Sequence, residues 1–160
     1  MTPDLYRTSF RKSTQRIAEL ANEDLQAHIP HIRNWDAGEA LVHVGLVFSF
    51  VGQSITQGAP ISDQGVAPWA NDPANQPDKS DLGQWFTEVA ETLDATIWSH
   101  QEDEEVWTSS KQTDTAKFWM RRMTQEAEMH RWDIEAAYGD SQPINPDLAV
   151  DGVDEFYDFF

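Results

Sequence analysis

An all-α bundle is the fold class this sequence predicts, and three observations predict it. Four long stretches and a shorter terminal one repeat apolar residues at helical spacing, each opens on a recognisable cap, and nowhere does a strand-like alternation persist. With 160 residues and a mass of 18.2 kDa the chain is long enough for one sizeable core, so a single domain over residues 1–160 is expected.

The first helix opens on Thr2 as N-cap, Pro3 at the first helical position and Asp4 in the first turn. Leu5, Phe10, Ile17, Leu20, Ala21 and Leu25 carry its spacing to about Ala27. The segment HIPHIRNW ends it, because Pro30 disfavours helix in the residue before it. Asp36 and Glu39 form a capping box for a second helix that runs to about Thr56. Ala40, His43, Leu46, Val47 and Phe50 share its inward stripe. From Gln57 to Lys79 the chain turns rich in Pro, Gly, Asn and Asp, which predicts a long surface loop pinned by Trp69. Ser80 caps a third helix through Leu82, Phe86, Val89, Leu93 and Ile97 to about Gln101, and Trp107 closes the connection that follows. Asp114 caps the fourth helix, and Gly139 ends it as a left-handed residue would. Asn145 and Pro146 start a terminal helix over 146–160, whose FYDFF aromatics should pack on a neighbour. Together these make a four-helix bundle with an added C-terminal helix.

Charge and cysteine usage narrow the function. The 28 acidic residues against 11 basic give a net charge of −17, which argues against nucleic acid and anionic membranes as partners, since both would repel the chain. There is no cysteine, so any thiol chemistry needs a thiol from outside. The first residues lack the apolar core of a signal peptide, and the longest apolar run, Val42 to Val51, is too short and interrupted to span a bilayer. A soluble, cytoplasmic protein is expected.

The fourth helix carries the chemistry. Glu126 and His130, four residues apart, leave the same face about one turn apart, where a carboxylate and an imidazole can share a metal ion. Trp119, Arg122, Met123, Met129, Asp133 and Ala137 follow on that stripe, whereas Lys117, Arg121, Glu128 and Glu135 fall elsewhere. Charged groups on a partly apolar stripe ask for a compensating ion, water or ligand. His43, core-facing on the second helix, is the third candidate ligand, completing a set of two imidazoles and one carboxylate with an open position. Spacing alone does not decide, since Glu39 and His43 share the same interval; hydrogen-bonded core histidines are the alternative. Asp133, on the same stripe as His130, is positioned to accept that imidazole's second N–H, or else to meet Arg122 or water. His28, His31 and His100 are expected on the surface. Lys117, Arg121, Arg122 and Arg131 either raise a local positive potential for an anionic ligand or pair with acids of the third helix. Arg122 alone shares the ligand stripe, which nominates it for substrate contact.

These residues carry a resemblance. IPHIRNWDAGEALVHVG resembles the block of Trp, capped helix and His in the mycothiol-dependent maleylpyruvate isomerase N-terminal domain family, within the DinB/YfiT-like superfamily. FWMRRMTQEAEMHRWDIEAAYG and INPDLAVDGVDEFYDFF resemble its second and third blocks, in the same order. The resemblance implies a four-helix bundle holding a divalent metal, most often zinc, through His43, Glu126 and His130. It further implies mycothiol as a cosubstrate, bound as thiolate and attacking a small electrophile in an S-transferase or isomerase reaction. Many relatives carry a second domain after the DGVDE segment, so the chain is compatible with a single-domain member or with a piece of a longer protein. A non-catalytic binding module and a metal-hydroxide hydrolase are the rival functions.

Overall fold

The computed structural model describes residues 1–159. Its helices are α1 (Pro3–Leu20), α2 (Ala37–Gln57), α3 (Val66–Ala70), α4 (Leu82–Ile97), α5 (Ala116–Ala137) and α6 (Pro146–Phe159). Among the described residues there is no strand, only two isolated bridges, His28 with Asp36 and Glu105 with Thr115. The four long helices make the bundle: α1 lies along α5 and α2 along α4, with α2 also against α5 and α1 against α4. Phe10, Phe48, Phe86, Leu41, Leu93 and Met123 are among the side chains that fill its centre. This is the all-α bundle that the sequence predicts.

Local chemistry sets the helix ends. Thr2 caps α1 through its side chain, and Asp36 with Glu39 closes a reciprocal capping box at α2. The first helix stops at Leu20 rather than near Ala27, because Asn22 bonds back to the Glu19 carbonyl and Asp24 accepts the Gln26 amide, local bonds that compete with the helical ladder. Similarly, α4 is capped by Asp81 instead of Ser80 and ends at Ile97, and α5 begins after Thr115 rather than Asp114. Gly139 takes a φ of 72° just beyond α5, the left-handed conformation expected of it. Gly45 is required by close approach, since a Cβ there would lie 2.4 Å from the Trp85 ring of α4.

The expected loop over 57–79 contains α3 and the 3₁₀ turn Pro73–Asn75, with a second turn, Lys79–Asp81, at its end, and Trp69 packs edge-on against Phe50 at 5.6 Å, as an anchor does. By length and composition α2 is apolar enough to cross a membrane, yet 67% of its apolar window is buried inside the bundle. Its apolarity is accounted for by the core. Of the terminal aromatics, Phe156 and Tyr157 are largely exposed, and Leu148 and the acids of α6 attach that helix to the bundle. Phe160, the last aromatic of the tail, lies outside the described residues.

Candidate metal centre

Two helices present the site. His43 comes from the first half of α2 and Glu126 and His130 from the middle of α5, where the i and i+4 positions stand one above the other. Glu126 Oε1 lies 3.2 Å from His130 Nε2 and 3.6 Å from His43 Nε2. One ligand atom from each of the three residues falls within 4.8 Å of the others. One carboxylate oxygen thus faces two imidazole nitrogens from separate helices. Glu126 and His130 are buried, whereas His43 keeps 40% of its side chain exposed and opens the cluster to one side.

The surrounding groups orient this cluster. Arg122, one turn before Glu126, donates to its outer oxygen, Oε2, and is itself held by Glu155 Oε2 of α6 at 3.0 Å. Asp133 Oδ2 lies 3.0 Å from His130 Nδ1, an ion-pair contact without hydrogen-bond alignment, and its Oδ1 meets His31 Nε2 at 2.7 Å. Trp35 covers the imidazole of His43 with ring centroids 4.9 Å apart. Burial alone would raise the Glu126 carboxyl, but His130, His43 and Arg122 overcome it and hold the group well below the usual carboxylate range. Burial opposes charge on His130, while Asp133 and Glu126 outweigh it and push the imidazole up to about 9. Asp133 is held down by the two histidines it faces, against the effect of burial.

The donor set suits a divalent cation. Two imidazole nitrogens and one carboxylate oxygen converge within 4.8 Å of one another, with one carboxylate oxygen facing both rings and an open side toward His43. A cavity of about 790 Å³ begins at His43, Glu126 and Arg122 and extends between α2, α5 and the connections at 60–66 and 107–112.

The remaining sequence expectations divide. The four clustered basic residues do not pair with the helix at 82–97: Lys117 meets Glu102, Arg121 meets Asp151 and Asp158, Arg122 meets Glu126 and Glu155, and Arg131 meets Glu128 and Glu135. Met129, placed on the inward stripe by its spacing, is 46% exposed. His31 is no plain surface histidine, since it joins Asp133 and packs on Trp132. His28 and His100 do bond outside the site, to the Trp35 carbonyl and to Glu104. Glu155 was also not legible as part of this region; it is buried, and burial keeps its carboxyl above the usual range although Arg122 opposes this.

A helical bundle with two histidines and a glutamate converging from neighbouring helices defines a class of metal-competent four-helix proteins. The family model for the mycothiol maleylpyruvate isomerase N-terminal domain matches residues 6–135, and the chain belongs to that family. The crystal structure of the mycothiol-dependent maleylpyruvate isomerase aligns with a TM-score of 0.68 at 15% identity, covering 96% of this chain and 68% of that one. A histidine-to-alanine mutant of that enzyme aligns with a TM-score of 0.70 at 14% identity over the same shares. At such identity the likeness is one of fold. No curated protein matches the chain by sequence.

Proposed function

We propose that the chain is a single metal-binding bundle domain that uses zinc and mycothiol in an S-transferase or isomerase reaction on a small electrophile. Membership of the mycothiol isomerase family supports the thiol, and the convergence of His43, Glu126 and His130 within 4.8 Å is the observation that carries the metal. Those three side chains would hold the ion. Bound there, a divalent cation lowers the pKa of a coordinated thiol, so that thiolate is present near neutral pH.

The chain's own residues supply orientation and shelter. Arg122 engages the outer oxygen of Glu126 and leaves Oε1 directed at the two imidazoles. Asp133 stands 3.0 Å from His130 Nδ1, an ion-pair contact whose negative charge favours the proton on Nδ1 and so leaves Nε2 as the nitrogen presented to the cluster. The aromatic side of the adjoining cavity gives the electrophile a place to lie. Sequence spacing nominated Arg122 for an anionic substrate group; its ion pairs with Glu126 and Glu155 support a positioning role instead. The absence of cysteine from the chain fits an external nucleophile.

Cobalt substitution tests this reading. Titrating the cobalt-loaded protein with mycothiol is expected to shift the visible spectrum as sulfur enters the coordination sphere, and turnover of an electrophile is expected only with thiol and metal together. An unchanged spectrum, or activity surviving full removal of metal, overturns it; turnover with no thiol would identify a hydrolase.

A further inference from the structure

The cavity beside the metal centre has a chemical character of its own. Its apolar side is made by Val47 and Phe50 from α2, Phe118, Trp119 and Met123 from α5, and Trp107 from the connection before α5, while serines and Gln112 of the connections line the other side. Trp107 and Trp119 lie with ring centroids 5.5 Å apart at an interplanar angle of 31°, Phe118 abuts Trp119 at 4.8 Å, and Phe50 meets Trp107 at 6.4 Å. The Trp119 indole N–H is satisfied by the Trp107 carbonyl at 2.6 Å, so Trp119 does not offer it to a ligand in the cavity. A volume of about 790 Å³ is within the range of small-molecule sites.

Charge points the same way. The ionised groups lining the cavity are Lys111 and Arg122 against Asp63 and Glu126, which cancel. Arg122 is bound to two carboxylates, one of them, Glu155, buried behind it. The other cations of the cluster, Lys117, Arg121 and Arg131, are each paired with acids, and the chain as a whole carries −17. In the metal-free chain a dianion therefore meets no cationic surplus on approach; with a divalent cation and a bound thiolate the surplus is one charge, and no bidentate guanidinium waits on arrival. A flat, uncharged body meets apolar and aromatic surface.

We infer that the cavity selects an uncharged electrophile with a flat, apolar, aromatic body over a small dicarboxylate. This rests on the proposed thiol chemistry for the reaction, though not for the binding. With 1-chloro-2,4-dinitrobenzene as the electrophile, the sulfur of the thiol bonds to the ring carbon, chloride leaves with the C–Cl electron pair, and the thiol proton passes to solvent.

Binding and turnover are measured separately. 2,4-Dinitrotoluene, which has no leaving group, is expected to quench tryptophan fluorescence saturably in the metal-free and zinc-loaded full chain. Val66→Asp, which places an anion on the cavity rim at the start of the short helix α3, is expected to weaken that binding about tenfold while circular dichroism and melting stay those of the parent. With zinc and mycothiol, 1-chloro-2,4-dinitrobenzene is expected to be accelerated over its uncatalysed rate at least tenfold more than maleylpyruvate, a dicarboxylate. Saturable quenching without turnover of either compound supports the assignment of the cavity and overturns the thiol reading. Unsaturable quenching, binding indifferent to Val66→Asp in a folded variant, or preferential turnover of maleylpyruvate overturns the inference.

Discussion

Two faces of α5 bury the same kinds of residue and do opposite things with them. On the face toward α1, Arg131 sits between Glu128 and Glu135, donating to Glu128 through Nε and Nη2 at 2.9 Å each and to Glu135 through Nη1. Arg16 reaches Glu135 from α1 at 3.0 Å, Ser13 donates to Glu128, and the Gln142 amide donates to Glu135 at 2.8 Å. Every carboxylate there has a donor. On the face toward α2, Glu126 is backed by Arg122, but its remaining oxygen looks at two imidazoles that can also bind a metal. Buried charge on a helix is thus no mark of a site by itself. What separates the faces is that the first is closed by its own guanidinium, whereas the second pairs basic nitrogens with a carboxylate around an open corner.

The largest effect should come from breaking the α2 face. His130→Ala is expected to abolish stoichiometric metal and turnover while leaving helical content intact, which elemental analysis and circular dichroism check together. Arg131→Met strikes the opposite face and should do the reverse: stranding two buried carboxylates is expected to cost about 3–5 kcal/mol in a denaturant melt, with the folded fraction still binding metal. If Arg131→Met removed metal as well, the two faces would not be independent.

Asp133→Asn sharpens the distinction between holding a metal and orienting its ligand. Metal affinity is expected to fall about 10–100-fold, measured by competition with a chromophoric chelator. A pH series separates metal-free from metal-loaded protein. The raised His130 pKa stabilises the metal-free fold fully below about 6.5, and that contribution is lost as pH rises through about 9. Over the same interval the proton stops competing for Nε2, so metal affinity climbs and the melting gap between zinc-loaded and metal-free protein should widen. The smallest effect belongs to the exposed pair of Lys117 with Glu102, where Lys117→Ala is expected to cost less than about 1 kcal/mol in the same melt.

Much of this was legible in the chain. The capping box at Asp36, the left-handed Gly139 and the apolar repeats announce the bundle, because they depend on residues within one turn of each other. The Glu126 and His130 pair was readable for the same reason, being fixed by the helical interval. His31 was not, since its partner Asp133 is 102 positions away and nothing in HIPHIRNW says where the segment will lie. Glu155 escaped likewise, arriving beside Arg122 only when α6 folds back.

Sequence alone therefore determined the helices, the inward stripes of α2 and α5 and the types of residue able to bind a metal. Tertiary structure decided that His43 meets Glu126, that the clustered cations are neutralised, and that α5 has a second buried face away from the ligand stripe. The physical reason is range: capping and helical phase are set by neighbours along the chain, whereas the partner of a buried charge is whichever group the packing of distant helices brings within a few ångströms.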